Sequence, residues 1–90
     1  MSYKIDPSAV QILKDKYTGM KIYMVVDGEI SVRNNEVNAN SVLIEYKGND
    51  WGVVFYQDKY ELVSFGAMVD KVEGIYGSLI GAVDSIAARV

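Results

Sequence analysis

The spacing of apolar residues changes twice along this chain, from helical to alternating and back, and each change marks an expected element. Asp6-Pro7 opens a helix, since aspartate caps free amides and proline suits the first helical position. Val10, Leu13 and Tyr17 recur on one stripe and Gly19 supplies a stop, which predicts a helix over residues 7–18. Branched and aromatic residues dominate from Met20 to Val26, and Asp27-Gly28 follows directly. Asp-Gly between apolar runs favours a two-residue hairpin, because both central positions need positive φ. That turn sets Val26 against Glu29, Val25 against Ile30 and Tyr23 against Val32. It places Tyr23, Val25, Ile30 and Val32 on one face. The stretch from Asn34 to Asn40 holds four asparagines and reads as a polar loop, or at most a single helical turn.

Ser41 to Lys47, Trp51 to Gln57 and Tyr60 to Phe65 alternate as three strands of a meander. With Lys47-Gly48-Asn49-Asp50 as a four-residue turn and Asp58-Lys59 as a two-residue turn, Val42, Ile44 and Tyr46 align with Phe55, Val53 and Trp51. Leu62 then falls beside Phe55. The opposite face carries Leu43, Val54, Tyr56, Val63 and Phe65, so this sheet is apolar on both sides and needs cover on both. From about Ala67 to the end the period is helical: Met68, Val69, Val72, Ile75, Tyr76, Leu79, Ile80, Val83, Ile86 and Val90 fill one arc. Gly74, Gly77 and Gly81 fall on the other side. Each helix-interior glycine costs about 1 kcal/mol relative to alanine, so a smooth stripe of three suggests close approach of another backbone.

The resulting fold class is α+β: an antiparallel β-meander sheet of about five strands, with a short N-terminal helix and a long C-terminal helix. Ninety residues suit one domain over 1–90. In order of elements alone this is similar to small αβ dimerisation modules such as roadblock-type domains. Those carry a full helix in the middle, where this chain has a seven-residue asparagine-rich stretch.

Composition narrows the chemistry. Cysteine and histidine are both absent, which removes disulfides, thiolate zinc sites and the familiar acyl-transfer triads. Two carboxylate pairs, Asp27 with Glu29 and Asp58 with Glu61, lie at turns, where acidic side chains serve solubility. The Asn34–Asn40 stretch has only Glu36 as a carboxylate, too few for a calcium loop, and the glycines lack a phosphate-cradle context. No catalytic residue, cofactor or metal is expected. The net charge is −3 and the nine lysines and arginines are scattered, which argues against nucleic acid. The longest uncharged run, Gly74 to Val83, is too short to span a bilayer, and the N-terminus shows no apolar leader. A soluble, cytoplasmic protein is expected, without membrane contact.

Seven tyrosines are the compositional excess, and tyrosine favours both strands and interfaces. The expected function is therefore a non-enzymatic protein-interaction domain that self-associates as a homodimer or larger, with another protein as a further partner. Its expected interface comprises Leu43, Val54, Tyr56, Val63, Phe65, Gly74, Gly77 and Gly81. One alternative is a small-molecule-binding domain or simple enzyme, with a pocket between sheet and C-terminal helix lined by Tyr23, Tyr46, Trp51 and Tyr76. Another is a small inhibitor protein from a virus or mobile element.

Overall fold

The computed structural model describes residues 5–32, 35–66 and 70–89, and only the backbone at 27, 30–32 and 35–38. Asp6 accepts a hydrogen bond from the Ser8 amide at 2.9 Å, and Pro7 begins helix α1 (Pro7–Lys16). The helix ends two residues earlier than expected, where Tyr17 leaves helical geometry at φ −117° while its amide still bonds the Leu13 carbonyl. Five strands follow: β1 (Lys21–Val32), β2 (Asn35–Tyr46), β3 (Asn49–Tyr56), β4 (Lys59–Phe65) and β5 (Asp70–Tyr76). Helix α2 (Leu79–Arg89) closes the chain. The strands form one antiparallel sheet in sequence order. The α+β class stands, built on a meander with a helix at each end.

Three sequence expectations fail, each because strand pairing overrides local chemistry. Asp27-Gly28 is not a turn. Among the described residues only Lys47, Gly48, Gln57 and Asp58 have positive φ, so the geometry a two-residue hairpin demands is missing at 27–28. β1 runs through it with a bulge: Val25 pairs with Ser41 and Gly28 with Ala39, leaving one extra residue on β1. The expected pairs of Val26 with Glu29, Val25 with Ile30 and Tyr23 with Val32 do not occur. The Asn34–Asn40 loop fails with it, since Asn35 to Asn40 belong to β2 and Asn34 lies outside the described residues. A hairpin at 27–28 would have left that stretch unpaired, whereas the long arm brings ten residues of β1 into register with β2.

The third correction concerns the C-terminal helix. Asp70–Tyr76 is strand β5, paired along β4, and the helix is only 11 residues long. Residues 67–69, its expected first turn, lie outside the described residues. Gly74 sits in β5 beneath the Tyr76 ring, where a Cβ would meet the ring at 2.9 Å. Gly77 lies in the bend before α2. Gly81 stands in the helix's first turn, donating its amide to the Ser78 hydroxyl at 3.0 Å. The three glycines therefore share no helical stripe.

Both meander turns are two residues long. Lys47-Gly48 (φ 52° and 81°) joins β2 to β3, and Gln57-Asp58 (φ 53° and 62°) joins β3 to β4. Val42 thus pairs with Val53, Ile44 with Trp51, and Val53 with Leu62. Both registers are two residues away from the expected ones. Since side chains alternate with period two, the faces are unchanged.

Both helices pack on one face. Val10 and Leu13 of α1 and Leu79, Ala82, Val83 and Ile86 of α2 join Ile22, Val42, Ile44, Trp51, Val53 and Leu62 in the main core. Full burial of each large apolar side chain stabilises by about 1.5–3 kcal/mol. The second face has its own cluster: Ala39, Val54 and Val63 are buried, with Leu43, Tyr56, Phe65 and Val72 packed against them. None of those neighbours belongs to a helix. The sheet curls instead, bringing its two edge strands β1 and β5 into contact, and the bulges in the β1–β2 and β4–β5 pairings suit such bending. Among the described residues no helix is long and apolar enough to cross a membrane.

Candidate functional site

Strand alternation places two transverse rows on the second face. One runs Val25, Ser41, Val54, Glu61, Ile75 across the five strands, and the other runs Tyr23, Leu43, Gly52, Val63, Val72. The first row is closed in its middle: Ser41, Val54 and Glu61 are all buried. The second row opens at its β1 end, where Tyr23 is 49% exposed.

A hollow of about 350 Å³ lies at that open end, lined by Tyr23, Leu43, Phe65, Glu45 and Asp50, with Ile44 and Trp51 also bordering it. Gly52, buried beside it, fixes where its Phe65 wall lies. A Cβ there would stand 2.8 Å from Phe65 Cζ and 3.6 Å from Leu43 Cδ2. The missing side chain lets the Phe65 ring lie against the sheet beside Leu43. A strand-interior glycine marks this kind of close approach, a signal the sequence carried in Trp51-Gly52-Val53.

Glu45 and Asp50 are cross-strand partners and both are exposed. They also line a second hollow of about 320 Å³, together with Gly19, Lys21, Tyr46, Lys47 and Gly48. Among the described residues the ion pairs are Lys16–Asp84 at 3.1 Å and Arg89–Glu73 at 3.3 Å. Neither lysine of the second hollow is bonded to the carboxylate pair. Lys47 instead lies 5.3 Å from the Tyr46 ring centre.

Several polar side chains between sheet and helices are engaged with one another, while the buried Trp51 indole N–H has no hydrogen-bond partner among the described residues. The Tyr17 hydroxyl and Lys16 both donate to Asp84, tying α1 to α2. Those two hydrogen bonds, the tyrosine's first, hold the Asp84 carboxyl below its ordinary value. Arg89 bonds Glu73 and lies 6.0 Å from the Trp51 ring centre, while the Ser64 hydroxyl donates to Glu73 at 2.7 Å. The polar neighbours Ser85 and then Arg89 hold the Tyr76 phenol below its ordinary value, while the Ser85 hydroxyl itself donates to the Ala82 carbonyl at 2.7 Å.

The structure therefore gathers five of the expected interface residues, Leu43, Val54, Tyr56, Val63 and Phe65, into one cluster, and disperses Gly74, Gly77 and Gly81. Of the four residues expected to line a pocket between sheet and α2, Tyr46, Trp51 and Tyr76 lie on the helix-bearing face in or against the main core, and Tyr23 lies on the other face. Tyr23 and Trp51 border the first hollow and Tyr46 the second, while Tyr76 packs over Gly74. Of the acid pairs, Asp58 is exposed in a turn and Glu61 is 2% exposed inside β4. Glu29 is exposed on β1, and the Asp27 side chain lies outside the described residues. Among the described residues no group of three carboxylates clusters as a metal site would need. Gly52, Glu45 and Asp50 are the site residues that sequence reasoning passed over. Comparison with family models, curated proteins and solved structures returned no match for this chain.

Proposed function

We propose that this chain is a non-enzymatic protein-interaction domain whose contact surface is the open end of the second sheet face. The observation that carries the reading is Tyr23, half exposed on a strand and opposite Leu43, at the edge of a hollow that Phe65 completes. Aromatic side chains beside such hollows are the usual anchors of interfaces, and here a sheet backbone fixes them in advance. Binding then orders little that is not already ordered. A soluble, cytoplasmic setting suits the reading.

A second copy of the chain is the first partner to test. The helix-face route to a dimer went with the glycine stripe, so self-association now has only the sheet face to support it. Light scattering at high micromolar concentration is the measurement, with Tyr23→Glu as the variant, since its exposure spares the fold. A dimer that this substitution dissociates supports pairing through the hollow. A monomer removes self-association. Full cellular function in a folded Tyr23→Glu chain would sink the interaction reading as a whole.

A further inference from the structure

We propose that two copies of this chain pair edge to edge through β1, antiparallel about a two-fold axis at Met24, and so join their sheets into one. This rests on the self-association reading above and names how the copies meet: at the β1 margin of the sheet, side by side.

The backbone supplies the first argument. β1 is an outer strand, paired with β2 alone among the described residues. It touches β5 where the sheet curls, but no ladder joins the two among those residues. An outer edge without a strand partner is a template for a further strand. The two edges differ in how they are protected. β5 carries Asp70, Lys71 and Glu73 within seven residues, and such charges blunt an edge. From Ile22 to Val26, β1 carries none.

Exposure and self-complementarity supply the second. Among the described residues the exposed large apolar side chains are Ile12, Tyr23, Val26 and Ile75, and Val26 at 62% is the most exposed. Three of these four lie on β1 or on α1, which packs against β1. Residues 21–27 read Lys-Ile-Tyr-Met-Val-Val-Asp, apolar in the middle with opposite charges at the ends. Pairing about Met24 sets Tyr23 against Val25 of the second copy, Ile22 against Val26 and Lys21 against Asp27. Aromatic with branched, apolar with apolar and cation with anion are the pairs favoured across neighbouring strands. Lys21 also faces Glu45 on β2, so charge alternates across the seam. Moving the axis to Ile22 or Tyr23 sets Lys21 against an apolar residue and leaves Val26 beyond the paired strand. The bulge after Val25 bends β1 away and limits the seam to this stretch. A two-fold pair consumes both β1 edges and leaves only the charged β5 edges outward, so assembly closes at the dimer.

The test combines light scattering with isotope-filtered nuclear magnetic resonance on the full chain at high micromolar concentration, labelled and unlabelled copies being mixed. A dimer is expected, with contacts from the Tyr23 ring of one copy to the Val25 methyls of the other. Val26→Lys should weaken the dimer by about tenfold or more, since it places a charge against an apolar cross-strand partner in both halves of the seam. Ile75→Lys on the β5 edge should leave it unchanged. Both substituted positions are exposed, so the fold is kept. Tyr23 borders the hollow as well as this edge, whereas Val26 does not line the hollow, so Val26 is the residue that separates the two surfaces.

A monomer overturns the inference and leaves the hollow to a different protein. A dimer indifferent to Val26→Lys but lost in Tyr23→Glu also overturns it, assigning the contact to the sheet face and leaving the interaction reading standing. Loss of the dimer through Ile75→Lys, or contacts between copies that omit β1, overturns it likewise. Should Val26→Lys fail to fold, the contacts between copies of the unsubstituted chain decide the matter alone.

Discussion

Gln57 and Asp58 turn the chain between β3 and β4 with left-handed backbone at both positions and no glycine. Left-handed geometry costs an ordinary residue about 1–2 kcal/mol, and less for aspartate. Asn-Gly is the pair such turns favour. Gln57→Asn with Asp58→Gly should therefore raise stability by about 1 kcal/mol, part of the relief being offset by glycine's freedom in the unfolded chain. Urea unfolding with a higher midpoint and unchanged slope is the expected result. Gly28 obeys a different constraint. Its φ is ordinary, but a Cβ there would stand 2.3 Å from Val25 Cγ1 across the bulge. Gly28→Ala should destabilise by roughly 1–3 kcal/mol, the usual range for overpacking. Adding Val25→Ala should recover most of that loss. A Gly28→Ala penalty unaffected by Val25→Ala would point to the backbone and remove the bulge explanation.

The helices depend on each other as well as on the sheet. Tyr17 and Lys16 at the end of α1 both donate to Asp84 in α2. The Asp84 pKa is depressed in the folded chain below its ordinary 3.8, so the carboxylate's contribution to stability is complete above that value. It fades as pH falls through the lower, folded value. Asp84→Asn should therefore lower the denaturation midpoint at pH 7 and flatten its decline in acid. A variant whose acid limb matches the parent's would assign that limb to other carboxylates. The Asp84 side chain is partly exposed, so solvent screens the effect and a modest change is expected.

Across the whole molecule the two faces divide the work. The first holds the fold together, because both helices and the larger core lie there. Stability for a chain of this length is on the order of 5–13 kcal/mol. Leu79, Val83 and Ile86, all buried, together supply roughly 5–9 kcal/mol at the usual figure per side chain. Ending the chain after Gly77 should thus abolish cooperative unfolding at 25 °C, as calorimetry or circular dichroism would show. A truncated chain with a sharp transition would mean that the curled sheet folds alone. The second face closes over Val54 and Val63 without a helix and stays open at Tyr23. That asymmetry leaves an aromatic hollow on a frame that does not depend on it.

Where local chemistry and residue period agreed, sequence and structure coincide. Asp6-Pro7 starts α1, and Leu43, Val54, Tyr56, Val63 and Phe65 share a face even though both meander registers were misjudged. Alternation survives a two-residue slip, so face membership is written in the sequence while pairing is not. Asp27-Gly28 suits a turn and a bulge equally well, and only the partner strand at 35–40 chose the bulge. Val72, Ile75 and Tyr76 fit helical spacing and a strand alike. The open edge of β4 decided for β5, because a ladder of backbone hydrogen bonds outweighs propensities of at most about 1 kcal/mol per residue. The hollow was hidden for the same reason. Glu45 faces Asp50 only in the register that the two-residue Lys47-Gly48 turn imposes, and that turn depends on backbone angles that the strands on either side select.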